Sequence, residues 1–245
     1  MKVSIINYSN TIPFLYGLQQ SEELKSRTEF SYHYPAQAVE MLRTNEVDIS
    51  IVPVAAIPTI PKARIISNFC IGAVERVDSV CLCSNVPMHE IKSITLDYQS
   101  RTSNLLTRVL ARHVWHISPR FEHSSQGYEI KPSDSAKVII GDRALIHKYS
   151  FTYVWDLAQE WHKAFGRPFT FACWVANKDI PQDYAELFEQ ALRYGVTHID
   201  EAIAHNNTPK PFDMHDYLHH AISFQFDEEK REALNFFYEL AQDCE

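Results

Sequence analysis

The residues of this chain best placed for chemistry are the hydroxyl side chains of Ser100, Thr102 and Ser103, which follow a short β-rich segment, Ser93–Leu96. Apolar residues recur at helical spacing from Leu105 onward, so Ser100 is predicted to cap a helix whose first turn carries these hydroxyls. A helix's first turn presents unpaired backbone N–H groups and the positive end of the helix dipole, which together attract anions. The stretch therefore predicts either an anion-binding turn or a well-capped helix that binds nothing.

A second polar pair, Asn10 and Thr11, follows the predicted strand Val3–Ile6. An apolar helix start comes next, and Pro13 suits the first turn of that helix. Ligands of open α/β sheets bind at the carboxyl ends of the strands, so this pair is a candidate ligand site. The alternative is that Asn10 only caps the helix.

A third candidate, Gly141-Asp142, follows the apolar strand predicted for residues 137–140. Asp142 is the predicted N-cap of a helix that begins at Arg143. The alternative is that Gly141 allows a ligand to approach the backbone closely while Asp142 positions a group in a cleft.

Composition excludes several classes of function. The chain has 245 residues, 45% of them hydrophobic, which is enough for a sizeable core. Its net charge of −8 argues against binding to nucleic acid or an anionic membrane. The six glycines include no GxG pair, so the phosphate-binding loops of dinucleotide and Walker-type sites are absent. No signal peptide and no apolar run of about 18 residues is found, which predicts a cytoplasmic protein.

The metal-ligating side chains form no strong motif. The five cysteines show no CxxC spacing, and we expect them to be reduced. Cys81 and Cys83 share one face of an apolar strand, which favours packing over metal binding. His215 and His219 are four residues apart, a spacing that can bind zinc. Without a HExxH glutamate or a third ligand nearby in the sequence, solvated or capping histidines are favoured, and no metal is expected.

The order of predicted elements indicates an α/β protein with two lobes. A βαβαβ pattern ends near Val54, and a second strand–helix–strand pattern begins near Met88. We predict that residues 1–84 and 175–245 form lobe 1 and that residues 85–174 form lobe 2. Strands near Val80 and Phe171 would connect the lobes. This layout is typical of the type II periplasmic-binding-protein fold, in which the ligand occupies a cleft between lobes.

Four stretches, spread over nearly the whole length, resemble the chorismate dehydratase family of the futalosine route to menaquinone. Ser9 departs from the family pattern, which usually has a larger apolar residue there, as do Ile12 and Phe14 beside Pro13. These differences affect local packing and leave Asn10 in place. The stretches are SNTIPFLYGL at 9–18, LDYQSRTSNLLTRVL at 96–110, IIGDRAL at 139–145, and WDLAQEW at 155–161 continuing to PFTFACW at 168–174.

The resemblance implies that the chain converts chorismate, a small dianion, to 3-[(1-carboxyvinyl)oxy]benzoate by loss of water, without metal or organic cofactor. Asn10 is the first candidate for a catalytic residue, and Ser79 is the second. The implied substrate-binding residues are Thr11, Ser100, Arg101, Thr102, Ser103, Gly141 and Asp142. The base is either Asp142 or, as we favour, the substrate's own enolpyruvyl carboxylate.

Other functions fit the same pattern. One is a non-catalytic binding protein for small anions, and another is the sister enzyme of the pathway, dihydroxynaphthoate synthase. A ligand-sensing regulator domain is disfavoured because no helix-turn-helix segment or basic patch is left over. We expect a monomer or homodimer that binds neither nucleic acid nor membrane.

Overall fold

The computed structural model describes residues 1–6, 8–125, 128, 130 and 135–244. Strands and helices alternate along most of this part of the chain, as predicted for an α/β protein. The strands, in chain order, are β1 (Lys2–Ile6), β2 (Glu29–His33), β3 (Ile49–Pro53), β4 (Arg64–Ala73), β5 (Val80–Ser84), β6 (Ser93–Leu96), β7 (Arg120–His123), β8 (Ala136–Ile140), β9 (Tyr153–Asp156), β10 (Phe169–Ala176) and β11 (Ser223–Gln225).

Most of the helices connect or follow these strands. A π-helical segment, Tyr217–Ala221, directly follows the short helix at Met214–Asp216. The helices, in chain order, are α1 (Ile12–Gln20), α2 (Glu22–Ser26), α3 (Pro35–Arg43), α4 (Arg101–His113), α5 (Gly141–His147), α6 (Leu157–Phe165), α7 (Gln182–Thr197), α8 (Ile199–Asn206), α9 (Met214–Asp216) and α10 (Glu228–Ala241). No helix in the described part of the chain is both long enough and apolar enough to cross a membrane.

The chain divides into two compact units. Unit 1 contains Met1–Gly72 and Thr170–Asp227, and unit 2 contains Ala73–Phe169 and Glu228–Glu245. These boundaries differ from the predicted ones, because β5 and α10 belong to unit 2 rather than to the first lobe. The strands that pair with β5 lie more than 50 residues further along the chain, and hydrophobic patterning gives no indication of such a pairing.

Unit 1 is built on a six-stranded sheet of order β11-β4-β10-β3-β1-β2. Strand β1 runs parallel to both β2 and β3, so the predicted βαβαβ arrangement is confirmed. Strand β10 is antiparallel to β3. Because β1, β2 and β3 share one direction, their carboxyl ends lie at one edge of the sheet.

The helix layer of unit 1 is held by a close contact between α1 and α7. A Cβ atom on Gly17 would lie 2.0 Å from the carbonyl oxygen of Ala191, and one on Gly195 would lie 1.8 Å from the carbonyl oxygen of Pro13. Only glycine allows the two backbones to approach this closely. Phe14 of α1 turns toward the sheet and meets Trp174 edge-on, with ring centroids 5.7 Å apart.

Unit 2 is built on a five-stranded sheet of order β7-β6-β8-β5-β9. Strand β6 is parallel to β7 and β8, whereas β5 is antiparallel to its neighbours β8 and β9. Trp161 of α6 is fully buried and packs edge-on against Phe237 of α10, at 5.9 Å between centroids. This aromatic contact explains why the C-terminal helix belongs to unit 2.

Five residues other than glycine adopt a left-handed backbone with positive φ in the described part of the chain. Side chains rarely occupy this region because Cβ approaches the following carbonyl oxygen. The five residues are Asn45, Lys62, Asp78, His116 and Asn207.

Candidate functional site

Three helix N-termini meet one edge of the unit 2 sheet. Strands β6, β8 and β9 point the same way. Strands β8 and β9 lead directly into α5 and α6, and a short loop joins β6 to α4. The first turns of these helices therefore lie at the same end of the sheet. The partial positive charges of helix N-termini favour anions, so this edge is the electrostatically suitable part of unit 2 for a carboxylate.

Ser100 is the N-cap of α4, as predicted. Its Oγ accepts a hydrogen bond from the backbone N–H of Ser103 at 3.0 Å and donates one to the Ser103 hydroxyl at 2.8 Å. Ser100, Thr102 and Ser103 are buried, whereas Arg101 is exposed. The hydroxyls thus form an ordered cluster inside the first turn, and Arg101 lies on its outer side.

The loop between β6 and α4 is closed by the side chain of Asn104. The Asn104 amide donates to the carbonyl oxygen of Asp97 at 2.8 Å, and its Oδ1 accepts from the Asp97 N–H at 3.0 Å. The Gln99 N–H donates to the Asp97 carboxylate at 2.9 Å. These bonds fix the position of the Ser100 turn relative to the strand.

Arg143, which the sequence analysis did not select, connects the first turn of α5 to the loop between β6 and α4. Its guanidinium donates to both carboxylate oxygens of Asp97, at 3.0 and 2.9 Å, and to Oε1 of Gln99 at 2.8 Å. Burial raises the pKa of Asp97 above its ordinary value, and the charge of Arg143 opposes that rise. The two partners are 46 residues apart, and no local pattern in the sequence connects them.

Gly141 and Asp142 differ in part from the prediction. Helix α5 begins at Gly141, and its flanking residue is Ile140, so Asp142 lies within the first turn and is not the N-cap. Gly141 has φ of +61°, a left-handed value that suits glycine and lets the chain turn into the helix two residues earlier than expected. Its N–H donates to the carbonyl oxygen of Ser79 at 2.7 Å.

Ser79 belongs to unit 2 and not to the first lobe, where it was predicted. It is fully buried and precedes β5, whose first residue Val80 is paired with Ile140 at the end of β8. Ser79 therefore lies at the same sheet edge as the Ser100 turn. The prediction separated it from that turn because the antiparallel pairing of β5 was not foreseen.

The turn before Ser79 is held by the half-buried side chain of Asp156, the N-cap of α6. Burial raises the pKa of Asp156, and hydrogen bonds from backbone N–H groups oppose the rise. Lys148, which is buried, donates to the carbonyl oxygen of Asp78 at 3.1 Å. The N–H groups that bond to Asp156 belong to Val77, Asp78, Ala158 and Gln159.

In unit 1, Asn10 lies in a 3₁₀ turn, Ser9–Thr11, between β1 and α1. Asn10 is partly exposed, and among the described residues none forms a hydrogen bond with its side chain. The Thr11 hydroxyl, in contrast, donates to the carbonyl oxygens of Ile6 at 2.5 Å and Tyr8 at 2.8 Å. Asn10 is thus available to a ligand, while the Thr11 hydroxyl shapes the turn.

A small cavity of about 280 Å³ opens at the carboxyl ends of β1 and β2. The sequence analysis did not find this cavity. His33 lines this cavity, and its Nδ1 lies 2.9 Å from the Ser4 hydroxyl. The cavity is lined by Ile6, Tyr8, Tyr32, His33, Tyr34 and Gln37.

Two thiols of unit 2, those of Cys81 and Cys83, are buried. Cys81 and Cys83 lie within β5, and all five cysteines are free. Burial raises the pKa of the Cys81 thiol well above its ordinary value and that of Cys83 to about 12. Thiolate chemistry at neutral pH is therefore disfavoured for both, in agreement with a packing role.

Comparison with solved structures defines the class of this protein: it has the periplasmic-binding-protein fold. The chain is similar to protein AF1704 from Archaeoglobus fulgidus, with a TM-score of 0.73, 15% identity, and coverage of 99% of this chain and 96% of that one. The Candida albicans CA3427 product, which exhibits the generic periplasmic-binding-protein fold, gives 0.59 at 12% identity, covering 100% and 94%. The aliphatic sulphonate-binding protein SsuA from Escherichia coli gives 0.57 at 15%, covering 98% and 91%.

Residues 1–243 match the menaquinone biosynthesis family. The match includes both units, so the chain belongs to this family.

Proposed function

We propose that the protein is a chorismate dehydratase, which removes water from chorismate to give 3-[(1-carboxyvinyl)oxy]benzoate. The four sequence stretches described above and membership of the menaquinone biosynthesis family support this assignment. The observation that carries it furthest is the convergence of three helix N-termini and the buried Ser100–Ser103 hydroxyls at one sheet edge. A substrate with two carboxylates needs such preorganised donors.

The reaction breaks one C–H bond and one C–O bond and forms a ring double bond. A base removes the proton from the ring carbon that bears the enolpyruvyl ether. The electron pair spreads through the diene to the ring carboxylate, and the neighbouring hydroxyl then leaves as water with a proton. Negative charge therefore grows on a carboxylate in the transition state, where fixed donors are most effective.

We assign the ring carboxylate to the first turn of α4. Backbone N–H groups there, with the hydroxyls of Thr102 and Ser103, would stabilise the growing charge. The Asp97–Arg143 pair holds this turn in position, and Gly141 at the start of α5 leaves room for close approach to the backbone.

Asn10 is assigned a catalytic role. Its amide can donate to the departing hydroxyl or orient the enolpyruvyl carboxylate, and neither role requires ionisation. The substrate's own enolpyruvyl carboxylate is the preferred base because it lies near the proton to be removed, with Asp142 as the alternative.

Dihydroxynaphthoate synthase, the sister enzyme, and a non-catalytic anion-binding protein are the competing functions. Their substrates distinguish them, because the sister enzyme acts on a larger futalosine-derived molecule, whereas a binding protein returns chorismate unchanged.

The test is incubation of the purified protein with chorismate, followed by mass spectrometry for an aromatic product lighter by one water. A parallel incubation with the protein denatured by heat gives the uncatalysed background. Product above that background supports the proposal. Recovery of unchanged, bound chorismate would indicate a binding protein, and turnover of only a futalosine-derived substrate would indicate the sister enzyme.

A further inference from the structure

Three side chains of unit 1 that are not among the residues proposed for catalysis form a group that could hold a metal ion. Nε2 of His219 lies 3.0 Å from Oδ1 of Asp200, and Nε2 of His215 lies 3.5 Å from the same oxygen. The potential ligand atoms of all three lie within 4.8 Å of one another. We call this group, Asp200 with His215 and His219, the α8 triad.

The backbone explains why these residues meet. Asp200 is in the first turn of α8, where its negative charge is favoured by the helix dipole. His215 lies in α9, and His219 lies in the π-helical segment Tyr217–Ala221 that continues from it. The two histidines are four residues apart, about one helical turn, so their imidazole rings lie side by side with centroids 4.2 Å apart. Single π-turns within helices are rare and occur frequently at functional sites.

The spacing of the ligand atoms fits a small tetrahedral ion. Zinc binds imidazole nitrogen at about 2.0–2.1 Å and carboxylate oxygen at about 2.0–2.2 Å, so two ligands of one tetrahedral ion lie about 3.4 Å apart. The two distances from Asp200 to the imidazole nitrogens, 3.0 and 3.5 Å, bracket this value. Two imidazoles and one carboxylate form a ligand set that zinc commonly uses.

We propose that the α8 triad binds one Zn²⁺ ion, with His215, His219 and Asp200 as ligands and water in the fourth position. All three residues are exposed, so the ion has open access from solvent. The ion joins α8 to the segment that carries the histidines, and it thereby fixes both ends of the intervening loop, residues 207–213. Because α8 packs against α1, the ion also braces the helix that follows Asn10.

The same geometry has a metal-free explanation, in which both imidazoles hydrogen-bond to one carboxylate oxygen. The two explanations differ in their response to zinc. If the group is only a pair of hydrogen bonds, adding zinc leaves the stability of the folded state unchanged. If it is a three-ligand site, zinc binds to the folded state and stabilises it by mass action.

The experiment is calorimetric titration of the untagged, metal-free protein with ZnCl₂, together with thermal unfolding with and without the ion. We expect one Zn²⁺ per chain and a higher unfolding temperature that EDTA reverses. H215A, H219A and D200N should each weaken the binding at least tenfold. The matched control is H89A, because His89 is also exposed and lies 3.6 Å from one carboxylate, that of Glu90, but belongs to no group of three potential ligands within the described part of the chain.

Circular dichroism of each variant without zinc checks that the fold is intact. Wild-type affinity no greater than that of the H215A/H219A double variant would overturn the proposal. Unchanged affinity in D200N would remove the carboxylate from the site and would equally contradict a three-ligand ion.

Discussion

Asn10 is the single residue on which the proposed chemistry depends most, because its amide is left unpaired among the described residues while its neighbour Thr11 is bonded to the backbone. N10A should lower kcat for chorismate dehydration about 10²-fold, the usual cost of one lost transition-state donor. Steady-state assays of product formation measure this. The control is N235A, an exposed asparagine on α10, which should keep full activity. Full turnover by N10A would exclude the residue from the mechanism.

Arg143 should matter for stability through a buried charge. The side chain of Asp97 is 1% exposed, so R143M would leave its carboxylate without a cationic partner. We expect the free energy of unfolding to fall by about 3 kcal/mol at pH 7. Urea denaturation gives the value. The double variant D97N/R143M removes the charge as well and should recover part of the loss.

The pH dependence of R143M follows from the direction of the Asp97 shift. A carboxyl group whose pKa is raised in the folded state holds its proton to higher pH than in the unfolded chain, so stability falls as pH rises through these pKa values. Removal of Arg143 raises the folded-state pKa further. The deficit of R143M should therefore be smaller at pH 4 than at pH 7, and an equal deficit at both pH values would argue against this electrostatic origin.

Among the secondary-structure elements, the N-terminus of α4 combines a structural role with a proposed binding role. S100A loses the cap and should cost about 1 kcal/mol of stability. Ser21 caps α2 in the same way, accepting from the Leu24 N–H at 3.3 Å, and belongs to unit 1, whereas the proposed carboxylate site belongs to unit 2. S21A is therefore the matched control. Both variants should lose similar stability in urea denaturation, but only S100A should raise KM for chorismate, and equal KM values would limit Ser100 to capping.

The contact between α1 and α7 sets a strict size limit. G195A would place a methyl group 1.8 Å from the carbonyl oxygen of Pro13, so the helices must separate. We expect the free energy of unfolding to fall by about 3 kcal/mol, which is at the upper end of the usual cost of overpacking a protein interior. G166A is the comparison, since Gly166 has φ of +64° with nothing within 4 Å of the added methyl, and it should cost about 1 kcal/mol. Thermal or urea unfolding would rank the two, and the reverse order would contradict the steric argument.

At the scale of the whole molecule, the sequence was informative wherever a structure depends on neighbouring residues. The Ser100 cap was predicted correctly, and it depends on a bond to a residue only three positions away. Contacts between distant segments were not predictable. Arg143 and Asp97 are 46 residues apart in the sequence, and the unit 2 sheet brings them into contact. Asp200 and His219 are 19 residues apart, and the packing of two helical segments brings them into contact.

Two errors have different origins, one in a long-range pairing and one in a local backbone conformation. Ser79 was placed in the wrong unit because the antiparallel pairing of β5 spans more than 50 residues. Asp142 was predicted as a cap because aspartate usually occupies that position, whereas the left-handed backbone of Gly141 starts the helix before it. The residues proposed to bind substrate remain predictions for which the mutants above are the test.

Because several left-handed positions are occupied by residues other than glycine, substitution by glycine at such a position is a route to a more stable protein. Lys62 lies at φ of +58° in an exposed turn, where a Cβ atom costs roughly 1–2 kcal/mol that glycine would not incur. Glycine also raises the conformational entropy of the unfolded chain, which offsets part of this gain. The free energy of unfolding of K62G, measured by urea denaturation, should therefore exceed that of the wild type by about 0.5 kcal/mol. E75G, at an exposed residue without positive φ, should be less stable. Heat tolerance could thus be raised by a substitution at a residue that is not among those proposed for catalysis.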